Sequence, residues 1–218
     1  MSKLLQVKIC GLTNLDDINF ALKMGADFLG LILYRKSPRF VSLELARDLV
    51  QKIPEGKRVV VDVEPDTTQL VSYQKAGFDY FQIHTGSEID LSQVQEWSKT
   101  VSADRLWLAP KVNPLAPFPT EVLSYAKTIL VDTFSLSQAG GTGRTGDWNN
   151  FRKLQREYPT NDWILAGGIS PDNVTQAIKS SEANFIDVNS GVEEEPGVKS
   201  QVKLQKLFAC LNRSEATS

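Results

Sequence analysis

The sequence predicts a single (β/α)8 barrel, eight parallel strands with surrounding helices. Three observations predict it. Eight short runs rich in Val, Ile, Leu and Phe recur at residues 7–10, 28–33, 58–63, 80–84, 106–112, 128–132, 163–166 and 185–189. They show little polar alternation, the pattern of parallel strands covered on both faces. Helix-like segments of about 10 to 14 residues separate them, and strict β–α alternation implies right-handed crossovers in a parallel sheet. Eight such units favour closure over an open doubly wound sheet, and 218 residues lies near the lower end of the barrel range.

The helical segments carry their own start and stop signals. Residues 14–24 place Leu15, Ile18, Phe20, Ala21 and Leu22 at helical spacing and stop at Gly25. Ser42 is placed to cap 43–53, which ends before Pro54 and Gly56. Pro65-Asp66 opens 67–76, which Gly77 ends. Ser170-Pro171-Asp172 opens 173–180, with Pro171 near the first turn, where its missing N–H costs little. A helix over 199–211 closes the chain, and 212–218 reads as a frayed polar tail. No linker or composition shift divides residues 1–218, so they are expected to form one domain.

Composition narrows the function classes. The net charge is −2, with 24 basic and 26 acidic residues well mixed, so no nucleic-acid footprint is expected. The apolar runs are strand-length, far short of the roughly 20 residues that span a bilayer. The first strand begins too early to leave room for a signal peptide, and the two cysteines are expected to be reduced. The expectation is a cytoplasmic protein. One histidine and no CxxC or HExxH spacing give no metal-site signature. Monomer and homodimer both stay open.

In such a barrel, chemistry is built at the carboxyl ends of the strands. Cys10 and Asp132 end the first and sixth runs, and a thiol and a carboxyl there can form an acid/base pair. Arg39, Gln82, His84, Asp187 and Asn189 are further polar residues at that end. Three glycine-rich turns come late: Gly140-Gly141-Thr142-Gly143, Gly167-Gly168 and Ser190-Gly191. Glycine lets backbone N–H groups turn towards an anion, and this fold commonly holds phosphate after strands seven and eight. Gly141, Thr142, Gly143, Gly167, Gly168, Ser190 and Gly191 therefore read as a phosphate cup, with plain tight turns as the alternative. Residues 141–146 spell GxGxxG but do not directly follow a strand, which disfavours a dinucleotide site. Asp62 and Lys111 are charges in otherwise apolar strands. If both point into the mouth, they compensate each other or contact substrate near His84.

Several stretches together carry a family resemblance. Lys8-Ile9-Cys10-Gly11, Lys36-Ser37-Pro38-Arg39-Phe40, Gln82-Ile83-His84, Leu130-Val131-Asp132-Thr133, Gly140-Gly141-Thr142-Gly143, Leu165-Ala166-Gly167-Gly168-Ile169 and Asp187-Val188-Asn189-Ser190-Gly191-Val192-Glu193 resemble the phosphoribosylanthranilate isomerase family. The resemblance implies a TIM barrel and a step of tryptophan biosynthesis. N-(5-phosphoribosyl)anthranilate would rearrange to 1-(2-carboxyphenylamino)-1-deoxyribulose 5-phosphate. It implies Cys10 as general base, Asp132 as general acid and Arg39 against the anthranilate, with Gln82 and His84 on the substrate side. It implies no cofactor, because the substrate nitrogen is itself the electron sink. The chain departs from the family at His84-Thr85-Gly86, one residue longer than usual, at Asp62 and at Leu108-Ala109-Pro110-Lys111. The rival readings are another phosphosugar isomerase, such as the related histidine-pathway enzyme, and a barrel that binds phosphosugars without turnover. The first is disfavoured by Cys10, which stands where that enzyme relies on an aspartate.

Overall fold

The computed structural model describes residues 4–86, 88–111, 117–133 and 147–215. Strands β1 (Gln6–Ile9), β2 (Phe28–Ile32), β3 (Arg58–Val63), β4 (Tyr80–His84), β5 (Leu106–Ala109), β6 (Thr128–Asp132), β7 (Asp162–Ala166) and β8 (Phe185–Val188) close into a barrel in sequence order. Every neighbouring pair is parallel, and β1 closes the ring on β8 with Val7 opposite Ile186 and Lys8 opposite Asp187. The helices are α1 (Leu15–Met24), α2 (Leu43–Val50), α3 (Thr67–Ala76), α4 (Leu91–Val101), α5 (Trp148–Glu157), α6 (Val174–Ser181) and α7 (Gln201–Glu215).

The expected caps are in place. Asn14 accepts from Asp17 N, Ser42 from Leu45 N, and Asp66 forms a capping box with Gln69. Gly25 and Gly77 end α1 and α3 at φ 98° and 99°, the left-handed region that glycine enters without strain. Three expectations on element limits are corrected. Strand β5 stops at Ala109 rather than 112, the early end to which Pro110, with no N–H for the ladder, already points in the sequence. Between β5 and β6 the described residues hold only a 3-10 turn, Thr120–Ser124, where a helix was expected. Pro110, Pro114, Pro117 and Pro119 crowd that crossover and cannot donate helical hydrogen bonds. Helix α7 runs to Glu215, past the tail expected from 212, since no Gly or Pro interrupts it.

Period-two alternation splits the core into two layers. Val7, Ile9, Leu29, Leu31, Val60 and Ile83 face the helices. Cys10, Ile32, Val59, Val61, Leu130, Ile164 and Ala166 face the barrel axis. At the amino end of the strands, Phe28, Tyr80, Trp107 and Phe185 pack ring against ring at 4.8–5.5 Å between centroids. These rings close the floor with apolar area and edge-to-face contacts. The interior opens at the carboxyl ends, where strand-end polar residues gather.

Beyond β8 the chain makes a short antiparallel hairpin, β9 (Glu193–Glu195) with β10 (Val198–Lys199), that the sequence pattern does not announce. It carries two buried charges, Glu193 and Lys199, to the rim.

Candidate active site

Cys10 follows β1 directly, and its N–H donates to Val188 O at 2.9 Å, so the barrel closure fixes its backbone. Its thiol is buried among the axis-facing side chains. Burial pushes the thiol up from its ordinary value, and the Lys8 ammonium pulls it the other way. Lys8 sits one layer lower on the same face of β1, with no exposed surface, and donates to Asp187 Oδ1 at 2.9 Å. Gly30 on β2 makes this possible. A Cβ there would stand 2.9 Å from Cys10 Sγ and 3.1 Å from Lys8 Nζ.

Asp132 ends β6 at the exposed mouth. Cys10 and Asp132 line one cavity of about 310 Å³, together with Gln82, His84, Gly167, Gly168, Asp187, Asn189 and Ser190. A second cavity of about 310 Å³, walled by Thr85, Pro110 and Lys111, shares His84 and Asp132 with it. His84 lies 3.0 Å from Gln82 through its Nε2. Burial lowers its pKa, with the Lys8 charge as the second cause. The ring is therefore neutral near pH 7. With the Gln82 amide donating to Nε2, the assigned proton sits on Nδ1. Gln82 Oε1 is then a buried acceptor with no partner among the described residues.

The two late turns meet backbone to backbone. Gly167 and Gly168 have φ 95° and 63°, and Asn173 braces them by donating to Gly168 O at 2.9 Å. Gly191 has no room for a side chain, since a Cβ would lie 2.0 Å from Ile169 O. Gly141, Thr142 and Gly143 lie outside the described residues.

Arg39 is not the unengaged cation the sequence suggests. Its Nε and Nη2 grip the Glu193 carboxylate at 2.8, 3.1 and 2.6 Å. Lys199 donates to the same carboxylate at 2.7 Å and to Asn189 Oδ1 at 2.9 Å. The Nε/Nη2 edge is thus occupied by Glu193, and no hydrogen bond from Nη1 is seen among the described residues. Gly11, at φ 72°, leaves the space for this arrangement, because a Cβ would meet Asn189 Oδ1 at 2.6 Å and Arg39 Cδ at 2.7 Å.

The Asp62–Lys111 pairing is also corrected. Asp62 shares the parity of Val60 and turns to α3, where Tyr73 Oη donates to it at 2.6 Å. Its pKa is raised by burial, against the hydrogen bonds from Tyr73 and Val63 N. The Lys111 side chain is exposed, while its N–H donates to Thr85 Oγ1 at 3.1 Å. The extra residue Thr85 thereby takes over where Pro110 interrupts the ladder.

Sequence reasoning missed Lys8, Glu193 and Lys199 as parts of this site. Lys8 had a signal, a lone charge between Val7 and Ile9 in the first strand. Glu193 closes the last of the resembling stretches, but its burial and that of Lys199 depend on the hairpin, which no pattern in the sequence marks.

Known proteins match this chain along nearly its whole length. A family model described as N-(5'phosphoribosyl)anthranilate (PRA) isomerase matches residues 7–209. N-(5'-phosphoribosyl)anthranilate isomerase of Aquifex aeolicus is 36% identical over 208 residues, 94% of this chain and 97% of that protein. The enzyme of the same name from Synechococcus elongatus is 34% identical, over 96% of this chain and 97% of its own. Among solved structures, phosphoribosyl anthranilate isomerase in complex with reduced 1-(o-carboxyphenylamino)-1-deoxyribulose 5-phosphate superposes with a TM-score of 0.73 at 28% identity. It covers 96% of this chain and 100% of that one. TrpF from Jonesia denitrificans gives 0.78 at 26% identity, covering 98% and 100%. Fold and site together define an isomerase on a (β/α)8 barrel. The chain belongs to the phosphoribosylanthranilate isomerase family, whose Amadori rearrangement is a step of tryptophan biosynthesis. No helix among the described residues is long and apolar enough to cross a membrane.

Proposed function

We propose that Cys10 and Asp132 divide the Amadori rearrangement between them as base and acid. The observation that carries this reading is their shared cavity, with the Gly167-Gly168 and Ser190 turns on its wall. N-(5-phosphoribosyl)anthranilate enters with its phosphate at those turns, where Gly167, Gly168, Ser190 and Gly191 offer backbone N–H groups. A sugar hydroxyl donates to Gln82 Oε1. An unpartnered buried acceptor costs about 1–3 kcal/mol, so a substrate that fills it gains affinity. The anthranilate carboxylate takes the Nη1 side of Arg39, whose other edge Glu193 holds.

The proton moves follow from the substrate. The Asp132 carboxyl gives its proton to the furanose ring oxygen as the C1–O bond breaks. The nitrogen lone pair forms a C1=N iminium, which acidifies the C2 hydrogen. The Cys10 thiolate removes that proton, the C2–H electrons form C1=C2, and the iminium electrons return to nitrogen. The enol then becomes the ketone as O2 loses a proton and C1 gains one. The substrate carries its own electron sink, so the proposed route calls on no cofactor. Neutral His84 lines the pocket as a hydrogen-bonding group, not as the acid.

The proposed setting is the cytoplasm, because both cysteines are free and the base must be a reduced thiol. The test is Cys10→Ser, followed by the fluorescence of the anthranilate substrate. A hydroxyl is a far weaker base near neutral pH, so the variant should fold and lose most of its turnover. Near wild-type turnover would remove Cys10 from the mechanism.

A further inference from the structure

The barrel interior contains an ion pair that the proton moves above leave unused. Lys8 and Asp187 are Cα partners across the β1–β8 seam, so both side chains point to the axis. The ammonium has no exposed surface, and the aromatic floor below it shuts out water. Burial works to lower the Lys8 pKa, yet the Asp187 carboxylate, joined by the Cys10 thiolate when that forms, outweighs it, and Lys8 stays charged. Strand β2 answers with a glycine. The point where a Gly30 Cβ would stand is within 3.1 Å of Lys8 Nζ and 2.9 Å of Cys10 Sγ, so the ammonium and the thiol share the space it vacates.

We propose that Lys8 is a positioning residue for the base: its ammonium, anchored by Asp187, stabilises the Cys10 thiolate that takes the C2 proton. This rests on the reading of Cys10 as base. A buried thiol is an inert one unless a cation opposes the cost of its charge. Several charged or titratable groups face Cys10. Lys8 and Asp187 lie on the barrel wall, neutral His84 and Asp132 at the mouth, and Lys199 and Arg39 at the hairpin side. Among them Lys8 acts most strongly against burial, and Asp187 works in the opposite sense by its negative charge. Asp187 therefore has two effects. It keeps Lys8 charged and in place, and it moderates the pull on the thiol.

These opposite signs give the test. In a Cys210→Ser background the only thiol is Cys10, and its thiolate absorbance is followed against pH in Lys8→Met, Asp187→Asn and the double variant. Lys8→Met should move the titration to higher pH, and a rise of one unit cuts the thiolate fraction near neutral pH about tenfold. Asp187→Asn should move it to lower pH. The double variant, which leaves no buried charge unpaired, should fall between wild type and Lys8→Met. It carries the test if Lys8→Met does not fold. Simple loosening of the barrel would move every variant the same way, towards an exposed thiol. An unchanged or lowered titration in Lys8→Met and the double variant would overturn the proposal. The acid limb of kcat/KM should follow the thiol. A thiol that shifts under an unshifted limb would overturn Cys10 as the base, and with it the catalytic half of the proposal, while the titration itself needs no isomerase activity.

Discussion

His84 is the sole histidine of the chain, half-buried at the barrel mouth with its ring against the Gln82 amide. Burial, then Lys8, lowers its pKa below 6.5. A depressed folded value contributes stability that is present above the unfolded pKa and lost as pH falls through the folded one. The single imidazole signal in a proton NMR titration should therefore have its midpoint below 6.5. His84→Gln should reduce the loss of urea resistance on going from neutral to mildly acidic pH. A midpoint above that value would show that burial and the Lys8 charge do not depress the ring. Cys10, Asp132, Gln82 and His84 were legible as site candidates because each lies at or near the end of a recognisable strand. Lys8 was not, for a different reason. One lysine in a four-residue strand could face either side, and only the register with Asp187 turns it inward.

The turns after β7 and β8 act as one unit, since Ile169 O occupies the space a Gly191 side chain would need. Gly191→Ala should force the turns apart at an overpacking cost of about 1–3 kcal/mol. KM should rise, while the Cys10 titration stays put. An unchanged KM would remove this turn from the phosphate site. The β9–β10 hairpin is the second unit. It presents Glu193 to Arg39 and Lys199 at once. Glu193→Gln leaves two cations facing each other without their anion, and removing one partner of a buried pair costs about 3–5 kcal/mol. The upper end does not apply, because the Arg39 side chain is 18% exposed. Lower urea resistance and a raised KM are expected, both measured on purified variant. Full resistance and an unchanged KM would leave Arg39 positioned by something else. Such a hairpin was invisible in the sequence, because three glutamates followed by Pro and Gly carry no strand signal. Strand β5 was overextended for the converse reason. The run reads through Pro110, which has no N–H to give the ladder.

At the scale of the whole molecule, strict alternation of strand and helix was enough to read the barrel and its polarity, because each βα unit buries its strand on both sides. What the pattern could not supply was parity. Asp62 turned outward to Tyr73 on the next helix, and Arg39 turned to Glu193, far away in sequence on the hairpin after β8. The barrel places Cys10 just after β1 and Asp132 at the end of β6 around one cavity, with the Gly167-Gly168 and Ser190 turns that follow β7 and β8 on its wall. The central claim is that proton delivery by Asp132 opens the ring. The measurement that tests it most directly is turnover and ligand affinity of Asp132→Asn, which keeps the shape and cannot deliver a proton. Turnover should fall by about 10²–10⁴ while affinity for a product analogue changes little. Intact turnover with weakened binding would make Asp132 a contact for the ligand and contradict the mechanism.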